Sequence, residues 1–241
     1  MKRIVPVLAL LPLLMAAAPP AGVRKQKTAQ YDFEYTYPAA AAAIPALRAR
    51  LDADRAKTLA TLLKDAAAAA IEAKKDGYPF RPYAWNQAWQ VVTSLPGWLS
   101  LSATYWNYTG GAHGMTWSGA MLWDRTASTA RNPFDLFTSK AALQKAIQPA
   151  FCAALNKQRT ARRGEPIDPK SPAEFDKCIN PVDETVILGS SNRKTFTRIG
   201  ILVAPYSAGP FAEGTYEVTV PVTPAIIAAV KPQYRASFAV Q

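Results

Sequence analysis

Three consecutive runs of alternating residues between positions 85 and 123 constrain this chain more than anything else in it. All six tryptophans fall there, at Trp85, Trp89, Trp98, Trp106, Trp117 and Trp123. Residues 85–93 make one run, closed by Leu95, Pro96 and Gly97. Residues 98–107 set Leu99, Leu101, Ala103 and Tyr105 on one side and Trp98, Ser100, Ser102, Thr104 and Trp106 on the other. Residues 115–123 give Trp117, Gly119, Met121 and Trp123 a shared face. A period of two over such lengths predicts strands, and the short turns between them dictate meander order. The second turn lies in the segment YWNYTGGAHG, residues 105–114, which holds the only histidine, His113. Gly110, Gly111 and Gly114 permit positive φ or close backbone approach there.

Around this meander the pattern changes period. Residues 31–37 alternate Tyr31, Phe33, Tyr35 and Tyr37 with polar residues, as a strand with one buried face does. Pro45 suits the first turn of a helix. From there Ile44, Leu47, Leu51, Leu59, Leu62, Leu63 and Ile71 recur at three- and four-residue spacings, predicting a long amphipathic helix that packs on a sheet and stops at Asp76 and Gly77. Residues 23–30 read as a polar, basic lead and residues 124–131 as a polar turn. Thr138 or Ser139 caps a second helix running to about Arg162, with Leu143, Ile147, Phe151 and Leu155 as its buried stripe. Ser171 and Pro172 open a short helix ending at Cys178. Strands follow at residues 184–188, 195–203 and 215–220, and Thr223 with Pro224 starts a last short helix. These groupings predict an α+β fold, a largely antiparallel sheet with helices packed on one face, in two closely associated lobes. The expected divisions are a signal peptide at 1–22, a strand-helix region at 23–82 and a larger α+β region at 83–241.

Lys2 and Arg3, the uncharged run 4–14 and Ala16, Ala17 and Ala18 have the order of a secretory leader. The run is shorter than the roughly 20 apolar residues of a membrane span. No second long apolar stretch follows, so no span is expected after removal of the leader, and the expected location is periplasmic or secreted. The roughly 220 residues that remain suffice for one large domain or two small ones. Subtracting Lys2 and Arg3 lowers the formal charge from +11 to +9, a surplus that draws an exported protein to anionic envelope polymers. Nucleic acid is not expected as a partner. Cys152 and Cys178 are the only cysteines, and an even pair in an oxidising compartment is read as a disulfide. A nucleophilic thiol partnered by His113 would require both cysteines to stay reduced.

One histidine excludes most histidine-based chemistry. Ser118 and Asp124 make a triad with His113 imaginable, yet no GxSxG elbow is present. Zinc sites take several His or Cys ligands, and the calcium candidates Asp135, Asp168, Asp176 and Asp183 follow no recognisable loop spacing. Acidic pairs able to cleave glycans exist in any chain with 17 acidic residues, so they carry little information. No catalytic residue, metal or cofactor is therefore assigned. Aromatic residues on loops are the better signal, because loops carry binding groups more often than strand centres. Trp106, Tyr108 and His113 at the glycine loop, with Tyr206 and Phe211 in the Pro/Gly-rich segment 205–221, are the expected ligand contacts.

The glycine loop 105–114, the strand ending in Asp124, the Asp135-Leu136-Phe137 entry to a helix and the closing run from Pro205 to Pro221 together resemble a known family. It is the extracytoplasmic domain-of-unknown-function family of RsiV-type, lysozyme-sensing anti-sigma factors. The aromatic strand ending in Tyr37-Pro38, with its helix, is similar to the small preceding domain that is also an accessory region in peptidoglycan deacetylases. The resemblance implies an envelope location and a binding role, including lysozyme binding. One histidine cannot supply the paired histidines of a metal-dependent deacetylase, and no sigma-binding region is expected here.

The sequence thus predicts a non-catalytic envelope protein that binds peptidoglycan, another anionic envelope polymer or an envelope protein. A glycan or ester hydrolase using His113 or acidic residues is the second reading, and a lysozyme-binding or lysozyme-inhibiting protein the third. Lysozymes of the animal type are basic, so the third meets electrostatic repulsion.

Overall fold

The computed structural model describes residues 22–168 and 170–241, so the expected leader lies outside the described residues apart from Gly22. The chain begins with β1 (Arg24–Lys27), β2 (Tyr31–Thr36), α1 (Ala39–Ala42) and α2 (Pro45–Asp76). The meander follows as β3 (Tyr83–Ser94), β4 (Trp98–Tyr108), β5 (Met115–Asp124) and β6 (Thr129–Arg131). After α3 (Lys140–Arg163) come β7 (Thr185–Gly189), β8 (Arg198–Val203), β9 (Tyr216–Pro221) and α4 (Pro224–Ala229).

The strands divide into two sheets, one of six strands in the order β1-β2-β3-β4-β5-β6 and one of three, β7-β8-β9. Every neighbouring pair is antiparallel except β2 and β3, which run parallel. The pairing of β2 with β3 joins the strand-helix region to the meander in one sheet. The α+β class, the largely antiparallel pairing and the helices on one face of each sheet agree with the sequence pattern. The split into two sheets was not legible there.

Each sheet closes its own core. On one face of the larger sheet, Leu47, Leu51 and Leu62 of α2 pack against Phe33, Tyr35, Trp89, Leu99, Leu101 and Trp123. Leu63 and Ile71, though apolar, are 41% and 70% exposed, because Leu62 takes the inward position and Ile71 falls off the packed side. On the smaller sheet, Val186, Leu188, Ile199, Ile201 and Val218 meet the expected stripe Leu143, Ile147, Phe151 and Leu155 of α3. Ser139 caps α3 by accepting from the Ala142 N–H. The other face of the smaller sheet lies on the back of the larger one, where Thr185 Oγ1 donates to the Ser118 carbonyl at 2.9 Å.

The expected polar turn at 124–131 ends in the short strand β6, and three further departures from the sequence pattern have local causes. The basic lead contains β1, an edge strand whose Lys25 and Lys27 stand opposite Glu34 and Asp32 and pair with them at 2.8 and 3.0 Å. Charged short strands guard a sheet edge, and a four-residue strand has no periodicity to read. The expected strand start at Thr195 moves to Arg198, because the Asn192 side chain accepts from the Lys194 and Thr195 N–H groups and holds a turn. The expected helix from Ser171 to Cys178 is one 3-10 turn, Glu174–Asp176, with Ser171 Oγ accepting from Ala173 N.

Cys152 on α3 is joined to Cys178, pinning the segment before β7 to that helix. Close by, the fully buried Arg159 donates through Nε to the Ala208 carbonyl at 2.8 Å and through Nη1 to the Lys177 carbonyl at 3.0 Å. Arg163 bridges Asp176 at 2.7 Å and Glu213 at 2.8 Å. Outward carbonyls beside β9 are covered from α3, Gln158 donating to Glu217 at 2.8 Å and Arg162 to Thr215 at 2.7 Å.

Two outcomes follow for stability. Replacing both cysteines by serine should cost about 3–4 kcal/mol in the chain-entropy model, read as a lower urea midpoint at unchanged slope. Asp124 is raised by burial, the largest single influence, but the Ala127 N–H and the Arg131 guanidinium together hold it below the usual carboxylate range. Its contribution is therefore complete above the unfolded value of about 3.9 and is lost as pH falls through the lower folded value. Acid unfolding of Asp124→Asn should show a shallower loss of stability over that window than the parent.

Candidate functional site

A groove runs between one side of α2 and the sheet face that α2 only partly covers. Its floor follows from strand parity. The register pairs Trp85 with Asn107, Gln87 with Tyr105 and Trp89 with Ala103 across β3 and β4, and Tyr105 with Trp117 across β4 and β5. Trp85, Trp89, Tyr105 and Trp117 therefore point to the same face. Tyr105 stacks on Trp117 with centroids 5.4 Å apart and planes 20° off parallel, and Trp85 meets Trp117 edge-on at 5.5 Å. Gly119 makes the stack possible: a Cβ there would lie 2.6 Å from the Tyr105 ring and hydroxyl.

The opposite wall is the polar side of α2, with Arg50, Asp54, Lys57 and Thr61. Asp54 ties the wall to the floor. Its Oδ2 accepts from the Tyr35 hydroxyl at 2.7 Å and from Gln87 Nε2 at 3.0 Å. Trp89 Nε1 donates in turn to the Tyr35 oxygen at 3.1 Å, and Trp85 Nε1 to Gln87 Oε1 at 3.3 Å. Both indole N–H groups are thus used inside the protein, and the rings are fixed where they line the groove. Burial, reinforced by Asp54, holds the Tyr35 phenol well above the ordinary tyrosine range. Burial and then Asp54 push Tyr105 up to about 12. Both tyrosines are neutral at any physiological pH.

The residues expected from sequence lie elsewhere. Trp106 and Tyr108 have the opposite parity to Tyr105 and so leave the groove face. Trp106, 37% exposed, lies against Gly114, where a Cβ would come within 2.4 Å of the indole. The Tyr108 hydroxyl donates to the Gly111 carbonyl at 3.0 Å, closing the glycine loop. His113 stacks on Phe211 at 4.1 Å and 25°, and Phe211 lies 5.4 Å from Tyr206. Three of the five expected residues thus meet where the glycine loop touches segment 205–214. Trp106 reaches the same loop through Gly114, and Tyr108 braces the loop from within.

The triad imagined from sequence does not assemble. Ser118 and Asp124 lie about 20 Å apart along β5 at the rise of an extended strand. Asp124 is engaged by the Thr126 and Ala127 N–H groups and by Arg131, while His113 Nδ1 faces the Gly114 carbonyl at 3.0 Å. Among the described residues no three His, Cys, Asp or Glu side chains gather as metal ligands.

Residues 24–116 match the family model described as Deacetylase PdaC, a segment that carries β1 to the start of β5 and so most of the groove. The fold is similar to the crystal structure of a DUF3298 family protein from Pseudomonas aeruginosa PAO1, at 18% identity over 93% of this chain and 99% of that one, with a TM-score of 0.56. A DUF3298 family member from Bacteroides fragilis covers 84% of this chain and 91% of its own, at 15% identity and a TM-score of 0.48. At such identities the likeness is one of fold. The family-model match and the Pseudomonas structure support a deacetylase-associated domain and a DUF3298-type fold, and they do not confirm the expected RsiV-type anti-sigma assignment. No curated protein matches the chain.

Asp54→Ala should leave the Tyr35 hydroxyl and Gln87 without their acceptor. The expected cost is about 1–3 kcal/mol in urea unfolding. Gly119→Ala should tilt Tyr105 off Trp117, read as a loss of near-ultraviolet circular dichroism with little change in the far-ultraviolet spectrum.

Proposed function

We propose that this protein is a non-catalytic binding module of the cell envelope, and that the α2 groove holds a carbohydrate chain of the wall. The observation that carries this reading is the fixing of the partly exposed Trp85 through Gln87 and Asp54, beside the stacked Tyr105 and Trp117. Sugar rings present apolar C–H faces bounded by hydroxyls. Rigid aromatic surfaces match the faces at little entropic cost, and the Asp, Lys, Arg and Thr side chains of α2 match the rims. The matched deacetylase model over the groove segment supports a glycan-associated role. The disulfide fits an oxidising, extracytoplasmic compartment, and among the described residues no helix is long and apolar enough to cross a membrane.

The exposed junction offers a second reading. Tyr206 is 49% exposed and holds a positive φ of 70°, a backbone state that non-glycine residues rarely keep without a use. With Phe211 and His113 it presents an aromatic patch suited to a protein partner, lysozyme among the candidates.

Co-sedimentation with purified peptidoglycan sacculi over a salt series separates the two. The carbohydrate reading expects retention at high salt that drops about tenfold in Trp85→Ala or Tyr105→Ala, the loss of a contact worth about 1.4 kcal/mol, and stays unchanged in Tyr206→Ala. Retention abolished by modest salt would leave only adsorption of a basic surface and sink the reading.

A further inference from the structure

The groove is longer than one sugar. Three chambers follow one another along α2, of about 620, 320 and 350 Å³. The first two share Asp54 and Lys57 in their lining, and the second and third share Tyr83 and Thr109, so the three adjoin in file along the helix. Two rulers agree on its extent. From Arg50 to Ala69 the helix rises about 28 Å at 1.5 Å per residue, and from Trp89 back to Arg81 extended chain spans about 27 Å.

Each chamber also has aromatic side chains. The first has Tyr105, with the buried Trp89 behind it, the second Trp85 and Tyr83, and the third Tyr78 and Phe80, the last stacked on Tyr83 at 6.0 Å and 30°. A site for one monosaccharide needs a single such platform. Repeated platforms in file, each flanked by polar side chains of α2 or the adjoining turn, fit a ligand whose own units repeat.

Resting on the carbohydrate reading above, we propose that the ligand is a linear glycan polymer laid lengthwise along α2, held in at least three successive subsites rather than by a chain end. Subsites linked through one ligand act in concert, since binding in one raises the effective concentration of the next unit at its neighbour. Affinity therefore climbs with chain length until the groove is full. The turn at residues 77–82 serves only the far subsite, and Tyr78, 49% exposed, can be altered there without touching the core.

The test is isothermal titration with β-1,4-linked N-acetylglucosamine oligomers of two, four and six units. The expected result is affinity rising at least about tenfold from the dimer to the hexamer. In Tyr78→Ala/Phe80→Ala, with folding checked by circular dichroism, the hexamer should bind no better than the tetramer. Equal affinity of the dimer and hexamer for the parent protein, or an unchanged length dependence in the double variant, would overturn the polymer assignment and leave a single-sugar site. Binding of none of the oligomers, with the Trp85→Ala variant indistinguishable from the parent, would overturn the carbohydrate reading and this inference with it.

Discussion

Two parallel neighbouring strands cannot be joined by a tight turn, and the pairing of β2 with β3 imposes that geometry here. The connection must return to the starting edge, and it does so through α2, which crosses the sheet as a single 32-residue helix. Everything on that face follows. The helix buries Leu47, Leu51 and Leu62 against β2 and its neighbours, but it is too narrow to cover all the strands beneath it. The uncovered strip of β3, β4 and β5 becomes the groove floor.

The position of the helix over the sheet is held by polar as well as apolar contacts. Tyr35 of β2 and Tyr37 just beyond its end reach Asp54 and Asp52, at 2.7 and 2.6 Å. Sliding α2 along its axis would break both bonds and strand two phenols that are largely removed from water, each costing about 1–3 kcal/mol. The bond that locates the helix is thus also the one that organises the aromatic floor, because Asp54 receives the Tyr35 and Gln87 donors to which the two indoles are attached. A groove built this way has its aromatic floor fixed by the protein's own hydrogen bonds.

The strands of the meander, the long helix from Pro45 and the α3 stripe were legible because each repeats its period over many residues. Parity alone already grouped Trp117, Gly119, Met121 and Trp123, and it put Tyr105 and Trp106 on opposite faces. What parity could not tell was which face the helix would leave partly open, since that depends on the parallel pairing of β2, a tertiary fact with no local signal. For that reason the pattern of the strands alone does not distinguish Trp85 and Tyr105, which line the groove, from core aromatics. The meeting of His113 with Phe211 and Tyr206 was beyond reach for the same reason, though each residue had been singled out by its loop chemistry. Short edge strands such as β1 and β6 carry too few residues for any period to emerge.

The bonds from Gln158 and Arg162 to the carbonyls of Glu217 and Thr215 are commensurate by geometry. Four residues of helix rise about 6 Å and two residues of strand about 6.8 Å, so side chains one helical turn apart meet alternate carbonyls of an antiparallel neighbour. A bare strand edge is a template on which other chains can polymerise. Here two carbonyls on that edge, those of Thr215 and Glu217, are taken by side chains of α3, which lies upstream in the sequence. When β9 leaves the ribosome, α3 has already done so. Those two acceptors thus have partners already present when the edge forms, which leaves the edge with fewer free carbonyls for another copy to pair with.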